Sequence, residues 1–497
     1  MNITYKRMAN PHPFFVLLWL LLSYTAGASS SSFNQTVSRA HAETLKLKLA
    51  NGRNLIRKEL QSNSANAAAL LIQNQQDFLT LCVQQDPKVY DTLIKAQEER
   101  LQQINNLKER SAWVDYSKAE VRLHIALSRL LFDHKLAAAW DIRQAYLQYV
   151  ANTKRYPSFI PNKKTLGTLQ VLIGSVPDTY KVFLNIIGMK GDIKSGMANL
   201  REAATKENPF QDEAILLHAL LQHLLEQDKN KAAETTISKL SQSHPDNLLF
   251  AFVSMHILKK NKRSELALQV YQRLPKGPAY LAFPYLHHMA ADLYLYKGDL
   301  NESIHENQLF LQQHRGNHYL KAAHFKLYLS HWLQNNERQA GHHYRMIPQV
   351  GQPVVEEDAY AARFLEQQTK PNRWLLLSRL HSDGGYYQQA LATLSRMQLH
   401  DNTPQAEVAE YHYRRARIHH GLQNSEQAKR SYKQAISACG NTTLYFAPHA
   451  ALQLGYLYQE EKNIHQARTY FNKAIAYKGH EYKSSIDAKA KLALLIL

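Results

Sequence analysis

Cysteine is nearly absent from this chain of 497 residues: Cys82 and Cys439 are the only two, far apart in sequence. Two cysteines give no disulfide framework and no CxxC redox or metal motif, so two separately buried thiols are expected. Glycine (18) and proline (16) are also scarce. Sheet proteins need many tight turns and draw on both, so the shortage favours an all-α chain. The phosphate loop GxxxxGK[ST], a GxGxxG after a strand, GxSxG and HExxH are all missing. "GMKGDIKSG" (188–196) has glycines and lysines without phosphate-loop order, and reads as a helix–helix turn. The one strongly apolar interior stretch, 163–200, is interrupted by Asp178, Lys181 and glycines, so buried helices turned by Pro177 are expected rather than a membrane span.

Present instead are 45% hydrophobic and 20% charged residues, the balance of a folded chain, over a length too great for one compact core. The formal charge is +19, yet no run of five or six Lys/Arg stands out. Positive charge spread over solvated helix faces makes nucleic acid an unlikely partner and leaves peripheral membrane association open.

The N-terminus has the layout of a secretory signal peptide over 1–28. Lys6 and Arg7 precede an apolar run from Phe14 to Leu22, then the small-x-small site Ala26-Gly27-Ala28. Cleavage before Ser29 is expected, with a retained anchor as the alternative. Export follows: periplasmic or outer-membrane-associated in a Gram-negative bacterium, otherwise secreted.

One pattern recurs along the chain. "LGYLYQEEKNIHQARTYFNKAI" (454–475) sets Leu454-Gly455, Tyr458, Ala467, Phe471 and Ala474 at the spacing of a helix–turn–helix unit. Taking the small residue of the second helix as anchor gives 233, 267, 303, 340, 390, 428 and 467, with steps of 34, 36, 37, 50, 38 and 39. The long step holds Pro348, Pro353 and Glu356-Glu357-Asp358, marking an insertion near 346–372, a loop or an extra helix. "LAAAWDIRQAYLQYV" suggests a further, degenerate second helix anchored near Ala138.

These residues resemble the tetratricopeptide repeat, whose unit is about 34 residues. Leu166-Gly167, Ser175, Pro177, Leu184, Gly188 and Gly191-Asp192 are similar to a segment of the mitochondrial inclusion-body-clearance type of tetratricopeptide proteins; its location differs from the export expected here, so only architecture carries over. The resemblance implies an all-α, right-handed α-solenoid with an irregular helical N-terminal region. Degenerate hairpins would fill 29–160, an apolar helical connecting segment 161–205, and the repeats 206–497.

The resemblance further implies a non-catalytic scaffold that binds a protein or peptide on the concave face. By repeat alignment the contacts would be Tyr285, His288, Asp292, Phe325, Arg379, Tyr413, Arg417, His420 and Tyr456. Aromatics mixed with Arg and His suit an extended or acidic segment. No cofactor is expected, and no metal: the pairs His287-His288, His342-His343 and His419-His420 point about 100° apart on a helix and chelate poorly. Two other readings carry their own marks. An enzyme with its site in the first 200 residues would show converging buried polar groups around Lys163–Leu200. A binder of anionic polymer or lipid would show one continuous basic stripe.

Overall fold

The computed structural model describes residues 32–176, 184–226, 231–366, 370–440 and 443–497. The signal-peptide segment, Pro177, Asp178 and Lys181 lie outside them. Among the described residues every regular element is helical. The N-terminal region comprises α1 (Gln35–Leu45), α2 (Leu49–Ser62), α3 (Ala67–Gln84), α4 (Pro87–Asn105), α5 (Ala112–Leu131) and α6 (Lys135–Arg155). The connecting segment supplies α7 (Pro161–Gly174) and α8 (Ile193–Thr205). The array follows as α9 (Gln211–Glu226), α10 (Lys231–Ser243), α11 (Leu248–Lys260), α12 (Ser264–Gln272), α13 (Pro284–Lys297), α14 (Leu300–Gln313), α15 (Leu320–Leu333) and α16 (Glu337–Met346). After the insertion helix α17 (Glu356–Glu366) come α18 (Arg373–Gly384), α19 (Tyr387–Leu394), α20 (Gln405–Gly421), α21 (Ser425–Cys439), α22 (Phe446–Glu460), α23 (Ile464–Ala476) and α24 (Lys483–Leu495).

A single turn type organises these helices into pairs. Asp133, Lys262, Gly298, Asn335, Gly385, Gln423 and Lys462 each have positive φ and end the first helix of a pair. The next N–H bonds back to a carbonyl five residues earlier, as from Asn424 to His419 (2.9 Å) and Asn463 to Tyr458 (2.8 Å). This geometry satisfies the helix's last carbonyls and reverses the chain within about three residues. Five positions after each turn residue comes the anchor: Ala138, Ala267, Ser303, Ala340, Ala390, Ala428 and Ala467, each at most 2% exposed. Ala233 is equally buried on α10. Only a small side chain lets the second helix close on the first there, which is why the spacing is visible in sequence. Ala138 shares both the turn and the anchor, so a repeat-like pair lies within the N-terminal region.

Glycines serve the same close packing. A Cβ at Gly455 would stand 2.5 Å from the Phe471 ring, so α22 and α23 could not keep their separation. In the connecting segment α7 and α8 cross backbone to backbone. A Cβ at Gly167 would meet the Gly196 carbonyl oxygen at 2.7 Å, and one at Gly196 the Gly167 oxygen at 2.6 Å. Among the described residues no helix is long and apolar enough to cross a membrane.

The array also folds back on itself. Helix α13 packs against α18, beyond the insertion, and against α3 of the N-terminal region. The Leu281 N–H bonds to the Leu47 carbonyl (2.8 Å), and Lys46 and Lys48 reach Asp246 at 2.8 and 3.2 Å. Cys82 and Cys439 are buried and unbonded to each other.

Candidate functional site

The insertion decides how many of the aligned contact residues are free. Helix α17 begins with Glu356, Glu357 and Asp358, and the last two side chains reach into the repeat array. Asp358 accepts from the Tyr319 and Ala322 N–H groups at 2.6 and 2.9 Å. Helix α15 has no side-chain cap of its own, so Asp358 caps it from another element. Burial pushes the Asp358 carboxyl up to about 6 despite these two donors.

Glu357 completes an ionic cluster. Lys326 reaches Glu357 at 3.3 Å and Asp292 at 2.8 Å, and Asp292 also takes a short bond from Lys259. His288 Nε2 lies 2.7 Å from Lys326 Nζ and 2.8 Å from Glu357 Oε2. Burial and then Lys326 push the His288 pKa down, which favours a neutral imidazole there. Burial works against the ionised Glu357, but Lys326 and Lys259 outweigh it and hold the carboxyl well below its ordinary range. Tyr360 and Phe364 of α17 seat their rings 5.7 and 4.8 Å from Phe325.

Five of the nine aligned contact residues are therefore engaged inside the chain. His288 and Phe325 are buried against α17, Asp292 is buried between Lys259 and Lys326, and the Tyr285 ring lies tilted against Tyr319 at 4.6 Å. Tyr413 is also buried; its hydroxyl pairs with His449 Nδ1 at 2.9 Å. Repeat alignment places these residues on the inner face but carries no information about an insertion that covers it.

The other four remain half-exposed. Arg379 bonds the Tyr360 hydroxyl at 3.2 Å. His420 Nδ1 lies 3.3 Å from the Tyr432 hydroxyl, and burial followed by Arg417 pushes its pKa down. Tyr456 sets its ring edge-on to Phe471 at 5.2 Å. Arg379 and Arg417 have no carboxylate within ion-pair distance among the described residues, whereas Arg414, missed by alignment, is held by Glu410 at 2.7 Å. What this stretch can do chemically is offer unneutralised guanidinium groups beside tyrosine rings to an anionic chain.

A second constellation is the mark set for an enzyme. Lys164, 1% exposed, bonds Glu213 at 2.8 Å and lies 3.5 Å from Glu120. Thr165 donates to Glu120, and His41 and His124 lie 3.7 and 3.8 Å from Glu213 and Glu120. Burial, opposed by Lys164, pushes Glu213 well up, whereas Lys164 and His124 outweigh burial at Glu120 and bring it below its ordinary value. The adjoining void, lined by Tyr116, Glu120, His124, Lys164 and Phe210, is about 10 Å³. That volume holds one water and no substrate, so the cluster joins α1, α5, α7 and α9 as a structural knot. Among the described residues no group of three His, Cys, Asp or Glu side chains could hold a metal. His324, on α15, lies 3.0 Å from His343, a pairing that adjacent His-His dipeptides in the sequence did not signal.

Comparison with known proteins places families on these elements. Residues 409–442 and 448–480 match the tetratricopeptide repeat model, covering α20–α23. Residues 90–282 match the model for Iml2/Tetratricopeptide repeat protein 39, extending the likeness at 163–200 to α4–α12. No curated protein matches the chain. Among solved structures it aligns with the APC/C hetero-tetramer Cut9–Hcn1 at 10% identity, over 93% of this chain and 97% of that one, TM-score 0.29. It aligns with yeast Tom70 at 11% over 94% and 88%, TM-score 0.23, and with Ypp1 at 12% over 97% and 92%, TM-score 0.26.

Proposed function

We propose that this tetratricopeptide-repeat protein, similar to Iml2/Tetratricopeptide repeat protein 39 over 90–282, is an exported, non-catalytic scaffold. It captures an acidic, aromatic-containing segment of a partner protein on the part of the concave face formed by α18, α20 and α22. The observation that carries this reading is the chain's own filling of the neighbouring stretch. There Glu357 is held by Lys259, Lys326 and His288 while Tyr360 and Phe364 pack on Phe325. The adjoining stretch repeats that chemistry with Arg379, Arg417, His420 and Tyr456 and leaves Arg379 and Arg417 without a carboxylate within ion-pair distance among the described residues. An acidic segment would complete the pattern at little reorganisation.

The test is fluorescence anisotropy with a labelled synthetic peptide of alternating Glu and Tyr. Arg417→Glu and Arg379→Glu should each weaken binding about tenfold or more, as expected for losing a charge-assisted pair and adding repulsion. Binding should also fall as salt rises. Affinity unchanged in both variants would remove the concave face as the site.

Export is the companion proposal, supported by the Lys6-Arg7, Phe14–Leu22 and Ala26-Gly27-Ala28 pattern. N-terminal sequencing of the protein recovered from the native source should begin at Ser29. An intact Met1 on protein recovered from the cytosol would overturn it.

A further inference from the structure

Helices α2, α3 and α4 frame a cleft of about 330 Å³ on the N-terminal region. Arg53 and Arg57 line it from α2, Gln73, Gln76 and Asp77 from α3, and Arg100 from α4. The i,i+4 spacing of Arg53 and Arg57 brings both guanidinium groups off one face of α2. Three arginines thus share one carboxylate. Asp77 is already engaged, by a short bond from Arg100 and at 3.4 Å from Arg53. Arg57 meets only Asn54 Oδ1, at 3.4 Å, and has no carboxylate within ion-pair distance among the described residues. The cleft therefore carries two positive charges beyond its one negative charge.

Its floor adds a second requirement. Gln76 is fully buried; its Nε2 donates to Thr44 at 3.0 Å, while its Oε1 receives no hydrogen bond from the described residues. A buried acceptor is satisfied by a donor, so an occupant needs a hydroxyl as well as an anionic group. Planar guanidinium forks match phosphate oxygens two at a time, and a dianionic phosphate uses both surplus charges. The volume lies at the small end of ligand pockets, about 300–1,000 Å³, which suits a three- to six-carbon molecule.

We propose that this cleft is a binding site for a small hydroxylated phosphate ester, with Arg53 and Arg57 gripping the phosphoryl group and Gln76 accepting from a hydroxyl. A soluble sugar phosphate and the glycerophosphate headgroup of a lipid share that chemistry. Titration calorimetry on the full chain separates them, using glycerol 3-phosphate as one probe. Phosphatidylcholine vesicles with and without lyso-phosphatidic acid, whose glycerol hydroxyl remains free, are the other.

Arg53 and Arg57 are exposed, so Arg53→Gln and Arg57→Gln should fold normally. Each should weaken binding by about tenfold, the effect of one charge-assisted pair. Arg430→Gln, an exposed arginine on α21, should leave it unchanged. Arg57-dependent binding of glycerol 3-phosphate assigns a soluble ligand, and Arg57-dependent binding to the anionic vesicles alone assigns a headgroup. Binding of neither probe, or affinities that Arg57→Gln leaves within about twofold, would overturn the site.

Discussion

Between pH 7 and pH 5 the protein should lose several kcal/mol of stability and denature at much lower urea. The cause is a set of histidines that the fold keeps uncharged. Burial pushes His124, His314 and His324 down to about 4, and pushes His41 well below its usual value, with Lys164 adding to the effect at His41. All four are at most 9% exposed. An unfolded histidine titrates near 6.5, so below that value the unfolded chain binds protons that the native chain refuses. Stability is then fully present above about 6.5 and is lost as pH falls toward 4.

Three carboxyls oppose the trend: Asp212, Glu213 and Asp358 are raised by burial and take up protons in the native state first. Four histidines against three carboxyls leave a surplus of about one proton, or about 1.4 kcal/mol per pH unit at the steepest. The half-exposed His256, His343 and His449, held near 3, 4 and 3 by burial first, steepen the loss further. A typical domain has about 5–15 kcal/mol in all, so cooperative acid unfolding near pH 5 is expected. Urea titrations at half-unit pH steps measure it, and His314→Gln should flatten the slope by about one proton. A urea midpoint constant from pH 7 to pH 5 would show that these imidazoles are charged in the native state.

What the sequence made legible follows from what repeats. The anchors from Ala233 to Ala467 could be read because a reversal of about three residues fixes where two helices must approach, and only small residues fit there. Ala138 obeys the same rule, although its surroundings match the repeat poorly. The aligned contact residues were legible as helix positions and not as a free surface. The insertion near 346–372 was visible as a longer step carrying Glu356-Glu357-Asp358. That its carboxylates would reach His288, Lys326 and the first N–H groups of α15 depends on tertiary placement, which no spacing encodes. Hence Arg379, Arg417, His420 and Tyr456 keep access while His288, Asp292 and Phe325 do not. The cleft on α2–α4 was illegible for a similar reason: Arg53, Arg57 and Arg100 look like any solvated arginines until three helices converge.

Lys164→Met should destabilise the N-terminal region by about 3–5 kcal/mol, the range for removing one partner of a buried ion pair. Methionine matches the stem in length, so the loss is of charge and hydrogen bonds more than of volume. Glu120 and Glu213 would then share a space with no cation, both at 2% side-chain exposure or less. In the wild type, burial raises the Glu120 pKa but Lys164 and His124 bring it below its ordinary value. Without the lysine, Glu120 would take up a proton on folding, and folding at neutral pH would carry that cost. The triple variant Lys164→Met, Glu120→Gln, Glu213→Gln removes both orphaned charges and should recover most of the loss. Equilibrium urea unfolding followed by far-ultraviolet circular dichroism compares the three proteins. Because α1, α5, α7 and α9 meet at this cluster, the single variant should also expose the buried Phe33, Trp113 and Phe210 rings, which pack within 6.0 Å of one another. A loss below about 1 kcal/mol in Lys164→Met would mean that the ion pair only offsets its own desolvation, and that the knot is held by those aromatic rings.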